Sequence, residues 1–137
     1  MTVTVRIASP SEIADVLALW READAEPTHT DDLASVAQLI AHDPGALIVA
    51  EVDDRIVGSV IAGWDGWRGS VYRLVVSPAH RRHGLGRRLV REAENRLATL
   101  GAARLQAIVV ETDPRATMFW QSAEWEQQTG RLRFVKG

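Results

Sequence analysis

The stretch Leu74-Val75-Val76-Ser77-Pro78-Ala79-His80-Arg81-Arg82-His83-Gly84-Leu85-Gly86-Arg87-Arg88 joins an apolar strand to a glycine-flanked helix start. Ser77-Pro78 stops the strand. Beyond it Leu85, Leu89, Ala93, Leu97 and Leu100 recur on one face, and Gly101 is a natural residue for the left-handed end of a helix. A helix start leaves backbone N–H groups without intrahelical partners and carries partial positive charge. Glycines there let a diphosphate approach the backbone, and Arg81, Arg82 and Arg87 add charge-assisted contacts. Residues 80–91 hold five arginines and no acidic residue, a local charge of +5 in a chain of net charge −2. Together these features predict a phosphate-bearing ligand at residues 81–87. Two familiar phosphate motifs do not fit: a P-loop needs a lysine, and the third glycine of the dinucleotide fingerprint is Leu89 here. The plain alternative is a helix with glycines in its first turn and a solvated arginine face.

The rest of the chain sets the context. Its 137 residues predict a single domain, 1–137, with a hydrophobic content of 46% and a charged content of 25%, both usual for a globular protein. No uninterrupted apolar run exceeds five residues, so no membrane span is expected, and the first residues lack a signal-peptide core. The absence of cysteine excludes disulfides, thiolate metal sites and cysteine nucleophiles and fits a cytoplasmic protein.

Around that stretch the pattern alternates between strand and helix. Val3–Ile7 reads as a strand, Ser9-Pro10-Ser11-Glu12 as a capping box opening a helix, and Leu33–Ile40 as a second helix. Leu47–Val52 and Ile56–Ala62 read as a hairpin turning at Asp53-Asp54. Val71–Val76 is a strand, Gly84–Leu100 a helix, and Leu105–Val110 a mainly apolar strand expected in the centre of the sheet. Pro114 starts a short helix, and Trp125–Val135 is expected to form a closing hairpin. The order β-α-α-β-β-β-α-β-α-β-β predicts an α/β (α+β) mixed sheet.

Leu74-x-Val76-x-Pro78-x-x-Arg81-x-x-Gly84-x-Gly86 resembles the signature L-x-V-x-P-x-x-[RQ]-x-x-G-x-[GA] of the GNAT (Gcn5-related) N-acetyltransferase family, and all seven specified positions match. The element order is similar to that fold along essentially the whole chain, and the Asp65-Gly66-x-Arg68-Gly69 loop looks like a small bacterial subgroup. The resemblance implies acetyl-CoA as donor and a small-molecule or peptide amine as acceptor. It implies that the pyrophosphate sits on the N–H groups of Arg82, His83, Gly84, Leu85, Gly86 and Arg87, with Arg81 alongside. The pantetheine arm would run beside Leu74, Val75 and Val76, where the Val71–Val76 strand splays from Leu105–Val110. A backbone N–H near Val76 would hold the developing oxyanion. The amine would attack the thioester directly, with no acetylated enzyme.

The family pattern continues as N-x-x-A-x-x-[FL]-Y-x-x-x-G-[FY]. Ala116 and Phe119 match it, while Asp113 replaces the Asn, Trp120 the Tyr and Glu124 the Gly. The cofactor set therefore extends to Asp113 and Phe119, but the tyrosine that commonly protonates the departing thiolate is missing. Indole N–H is a donor only and no general acid. Tyr72, expected on one face with Leu74 and Val76, and Glu111, at the end of a strand, are the catalytic candidates; each is also an ordinary sheet tyrosine or strand-end carboxylate. Glu51 and Asp65 are further carboxylates. His29, Asp31 and Asp32 would form an acidic rim or cap a helix. Trp64 and Trp67 either wall the acceptor site or pack at a homodimer surface. His80 and His83 lack a third ligand, so no metal is expected. The competing readings are a non-catalytic acyl-CoA-binding domain, suggested by Trp120, and a nucleic-acid module using Arg81–Arg91. The net charge and the lack of interleaved aromatics argue against nucleic acid.

Overall fold

The computed structural model describes every residue except 1, 24, 26 and 110–112. The chain forms two compact units, Met1–Ala107 and Ile108–Gly137.

The first unit is a five-stranded sheet of order β1-β2-β3-β4-β5 with helices on both faces. Strand β1 (Thr4–Ile7) pairs antiparallel with β2 (Leu47–Val52), β2 with β3 (Arg55–Trp64), and β3 with β4 (Gly69–Val76); β5 (Leu105–Ala107) runs parallel to β4. Helices α1 (Ile13–Glu22) and α2 (Leu33–His42) bury Val16, Leu17, Trp20, Val36 and Ile40 against Leu47, Val49, Ile61 and Val75. The other face receives α3 (Leu85–Leu100), through Leu85, Leu89, Val90, Ala93 and Leu97. This contact needs glycine on the sheet: a Cβ at Gly69 would lie 2.6 Å from Leu105 Cδ2 and 2.7 Å from Leu97 Cδ1. The helix starts follow their predicted signals. The Ser9 N–H donates to Glu12 Oε1 at 2.9 Å, and Asp32 caps α2 by accepting the Ser35 N–H at 2.7 Å. Asp53 and Asp54 make the β2–β3 turn with φ of 50° and 62°, the left-handed pair that a two-residue hairpin requires.

Three expectations are corrected. The Leu105–Val110 strand, expected to be central, is the last strand in the order and spans only Leu105–Ala107. Gln106 interrupts its apolar run, is exposed, and bonds Ser70 Oγ at 3.2 Å. The closing hairpin over Trp125–Val135 is not formed: no strand occurs there, and Leu132, Phe134 and Val135 are 85%, 89% and 74% exposed. Alternation over so few residues orders a strand only when a partner buries one face.

The third correction concerns Tyr72. Ile61 pairs with Tyr72 and Ser59 with Val75, so Arg73 and Leu74 together oppose Val60. This is a β-bulge, and Arg73 adopts φ 51° within it. Paired residues share a face, so the bulge places Tyr72 with Ile61, Ser59 and Val75 on the α1–α2 side, not with Leu74 and Val76. The Tyr72 ring lies over Gly63, where an added Cβ would come within 3.3 Å of it.

The second unit contains α4 (Pro114–Ser122). Its start is capped by Asp113, which accepts the Ala116 N–H at 3.2 Å. Its end is a Schellman motif: the Trp125 N–H donates to the Trp120 carbonyl and the Glu124 N–H to the Gln121 carbonyl, both at 3.0 Å. Glu124 takes the left-handed position, φ 69°.

Candidate active site

The candidate site is the edge of β4 and the turn that follows it. Pairing of β4 with β5 covers Gly69–Val71 against Leu105–Ala107. Beyond Val71, β4 continues to Val76 with no β5 partner among the described residues. The resemblance places the pantetheine arm along this stretch, Leu74–Val76. Ser77 ends the strand. It is buried, donates its N–H to the Val57 carbonyl at 2.8 Å and its hydroxyl to Glu22 at 3.3 Å. Pro78–His80 form a single 3-10 turn, closed by the His80 N–H on the Ser77 carbonyl.

The chain then winds into α3 through two left-handed residues. Arg82 has φ 67° and Gly84 φ 76°. The first helical bond in this turn runs from the Arg88 N–H to the Gly84 carbonyl, 3.0 Å. The amides of Leu85, Gly86 and Arg87 therefore precede any intrahelical acceptor and face outward from the helix start. A Cβ at Gly84 would meet nothing within 4 Å, so the space above the turn is open. Glycine is needed there for its backbone angle, not to relieve crowding.

The arginines divide by role. Arg82 and Arg87 are exposed at the turn. Arg81 reaches back to the Ala23 carbonyl, 3.5 Å, and ties the turn to the end of α1. Arg88 bonds the Val3 carbonyl, 3.2 Å, and so is directed to the β1 side. The cluster of +5 read from sequence thus converges only in part. His83 is exposed beside Gly84, and Leu85 is buried as the first core residue of α3.

The catalytic candidates are placed as follows. Tyr72 is half-exposed on the α1–α2 side. Glu111 lies outside the described residues. Asp113 and Phe119 belong to the second unit. There the Trp120 ring meets Phe119 edge-on at 5.6 Å and Trp125 at 4.6 Å.

The other carboxylates are engaged in structure. Glu51 and Glu12 both hold Arg6, at 2.5 and 2.6 Å, and this guanidinium holds the Glu12 carboxyl at a pKa of about 2. Asp65 accepts the Arg68 and Trp67 N–H groups at 2.6 and 2.8 Å, bonds that lower its pKa. Asp32 is the α2 cap, and its pKa is lowered by the Ser35 N–H. Asp31 is bound to Arg73. His29 is exposed. Trp67 is 68% exposed under the Arg68 guanidinium, and Trp64 is half-buried at the end of β3. No cluster of three or more potential metal ligands occurs among the described residues. A groove of ≈ 410 Å³ lies away from this site, between β1–β2 and the later turns of α3, lined among others by Arg6, Glu92 and Arg96.

Sequence reasoning missed the residues that shape the bulge. Trp20 Nε1 donates to Ser59 Oγ at 2.8 Å, and Ser59 Oγ donates to the Arg73 carbonyl at 2.9 Å. An arginine inside the apolar run Val71–Val76 was the one available signal.

The first unit is a three-layer α/β arrangement in which a bulged strand, β4, leads through a left-handed turn into α3. The pattern of the Acetyltransferase (GNAT) family matches residues 13–124, and the chain belongs to that family. An acetyltransferase of Yersinia pestis (strain Pestoides F) is 32% identical over 124 residues, covering 90% of this chain and 88% of that protein. Among solved structures, the aminoglycoside antibiotic 6'-N-acetyltransferase of Acinetobacter haemolyticus superposes with a TM-score of 0.80 at 19% identity, covering 98% of each chain. The PaiA N-acetyltransferase of Thermoplasma acidophilum, solved with coenzyme A, gives a TM-score of 0.77 at 13% identity, covering 89% of this chain and 88% of that one. At such identities these two structures establish the shared fold. No helix among the described residues is long and apolar enough to cross a membrane.

Proposed function

We propose that the whole chain, 1–137, is one acetyl-CoA-dependent N-acetyltransferase domain that moves the acetyl group to a primary amine by direct attack in a ternary complex. The observation that carries this reading is the left-handed turn at Arg82 and Gly84, which opens α3 with outward amides beneath empty space. The N–H groups of residues 82–87, with Arg82 and Arg87, suit a pyrophosphate. The β4 edge at Leu74–Val76 suits the amide-rich pantetheine arm, which would add to the sheet as a strand does. Asp113 and Phe119 complete the cofactor set by family pattern. In structural terms Asp113 is also a helix cap, a task that Asp and Asn perform equally well.

Catalysis in this reading comes from positioning the amine beside the thioester and from removing its proton. An alkylamine has a pKa near ~10.4 and enters as a cation. Tyr72 and Glu111 are the groups proposed to pass its proton to solvent, and a backbone N–H of β4 stabilises the oxyanion. Trp120 cannot donate a proton to the departing thiolate. With a pKa near ~8.5 that thiolate leaves without a catalytic acid. The Asp31–Asp32 pair is not proposed as a cation-attracting rim, because both carboxylates are committed to other partners.

A second reading, a non-catalytic acyl-CoA-binding domain, is favoured by the packing of Trp120 on Trp125. The two separate in one experiment. Calorimetry with CoA and thiol release with spermidine, kanamycin, lysine and a peptide with a free N-terminus should show binding and turnover of at least one amine. Binding without turnover of any amine selects the second reading, and absence of CoA binding rejects both.

A further inference from the structure

Residues 27–32 lead into α2, and Arg73 of β4 holds them. The Arg73 guanidinium grips Asp31 with two nitrogens: Nε donates to Oδ1 at 3.0 Å, and a terminal amino group donates to Oδ2. The same amino group reaches Thr28 Oγ1 at 3.3 Å. Asp31 in turn accepts the Thr28 N–H at 3.0 Å, and its own N–H donates to the Thr28 carbonyl at 3.2 Å. Both side chains are mostly buried, 16% and 18% exposed, and the guanidinium stands 5.3 Å over the Trp20 ring. A forked, largely buried pair stacked on an indole holds its geometry in a way that a surface pair does not.

The bulge makes this contact possible. In an unbroken strand Arg73 would face opposite to Tyr72, away from α1 and α2. Its left-handed backbone brings it to the Tyr72 side instead, and the Ser59 hydroxyl holds its carbonyl there. The bulge also sits where β4 loses β5, at the end of the edge assigned above to the pantetheine arm. Arg73 therefore holds residues 27–32 beside the bulge, where the acetyl-transfer reading has the thioester and the amine meet.

We propose that Arg73 and Asp31 are positioning residues: their pair latches residues 27–32 over the bulge and so sets the acceptor side of the site. This rests on the acetyl-transfer reading. Neither residue touches the reacting atoms. The latch should govern acceptor binding and leave CoA binding alone.

Asn tolerates left-handed backbone, so Arg73→Asn removes the fork while keeping the bulge conformation accessible. Asp31→Asn keeps the shape and removes the charge. With saturating acetyl-CoA and whichever of spermidine, kanamycin, lysine or the free peptide the wild-type protein turns over fastest, each variant should raise the acceptor KM about tenfold, the middle of the range of a coupled pair. Both kcat and the Kd for CoA should stay within about twofold. The double variant should be no worse than either single one, because the two residues act as a unit. Arg73→Lys, charged but without the fork, should fall between. Hydrogen exchange at the Thr28 and Asp31 amides should quicken about tenfold in both single variants while the α3 amides keep their protection. Unchanged exchange would show that there is no latch. Faster exchange with unchanged acceptor KM would show a merely structural contact and overturn the positioning role. A wild-type protein that binds CoA but acetylates no amine in the panel would reject the acetyl-transfer reading itself, and the positioning role with it; the exchange result would still decide whether the latch exists.

Discussion

Trp20 Nε1 donates to Ser59 Oγ at 2.8 Å, a bond between α1 and β3, the strand next to β4. Ser59 is fully buried and donates its own hydroxyl hydrogen bond to the Arg73 carbonyl. The bulge is thus held from the interior by a chain of two hydrogen bonds. Ser59→Ala leaves the indole N–H and the Arg73 carbonyl without this partner. It should destabilise the protein by about 2 kcal/mol, the penalty of a buried unsatisfied group. Denaturant unfolding measures this directly, and a loss below about 0.5 kcal/mol would show that the bulge does not depend on Ser59.

Gly84 offers a sharp test of the phosphate turn. Gly84→Ala meets no atom within 4 Å but strains a φ of 76°. Its cost should be confined to stability, about 1 kcal/mol. Gly84→Glu adds the same strain and an anion over the helix start. It should weaken CoA binding at least tenfold beyond Gly84→Ala in calorimetry, and equal affinities in the two variants would move the pyrophosphate elsewhere.

Trp120 fills the place of a family tyrosine and packs on Trp125, 4.6 Å between rings, as the apolar contact that accompanies a Schellman motif. In an active enzyme Trp120→Phe should keep turnover within a few fold while lowering stability, and Trp120→Tyr should retain or raise turnover. A loss of about 100-fold in folded, CoA-binding Trp120→Phe would make it part of the proton path.

Glu124 carries a side chain at φ 69°, where the family has glycine. Glu124→Gly removes the left-handed strain but adds freedom to the unfolded chain. A net gain of about 0.5–1 kcal/mol is expected, visible as a higher unfolding midpoint. A lower midpoint would mean that the Glu124 side chain makes a compensating contact.

Glu12 sets an acid limb to stability. Arg6 lowers its pKa from the usual 4.5 to about 2 in the folded protein. A depressed carboxyl stabilises the fold fully above its unfolded pKa and loses that contribution as pH falls through the folded one. The contribution should therefore be whole above pH 5 and fade towards pH 2. Arg6 is a third exposed, so solvent screening limits it to about 1 kcal/mol. Glu12→Gln should flatten the pH dependence in that window, and an unchanged acid limb would assign it to other carboxylates.

The helices, the Asp53-Asp54 turn, the strand ending at Ser77-Pro78 and the helix start at Gly84 were legible from residue order alone. Each depends on contacts within a few positions: a cap, a turn, a periodic apolar face. The candidate phosphate turn is proposed on the same kind of signal, since glycine spacing and a local arginine excess are local facts. What the tertiary structure decided was everything that depends on a neighbour distant in sequence. β5 ended at Ala107 and took the last place in the strand order, and Trp125–Val135 did not pair. Above all, one extra residue between Tyr72 and Val75 reversed the face of Tyr72 and swung Arg73 towards Asp31. Alternation in a sequence assumes an unbroken pleat. A bulge arises when a particular partner strand, here through Ser59 and Trp20, holds one carbonyl out of register, and no pattern along a single strand records that partner.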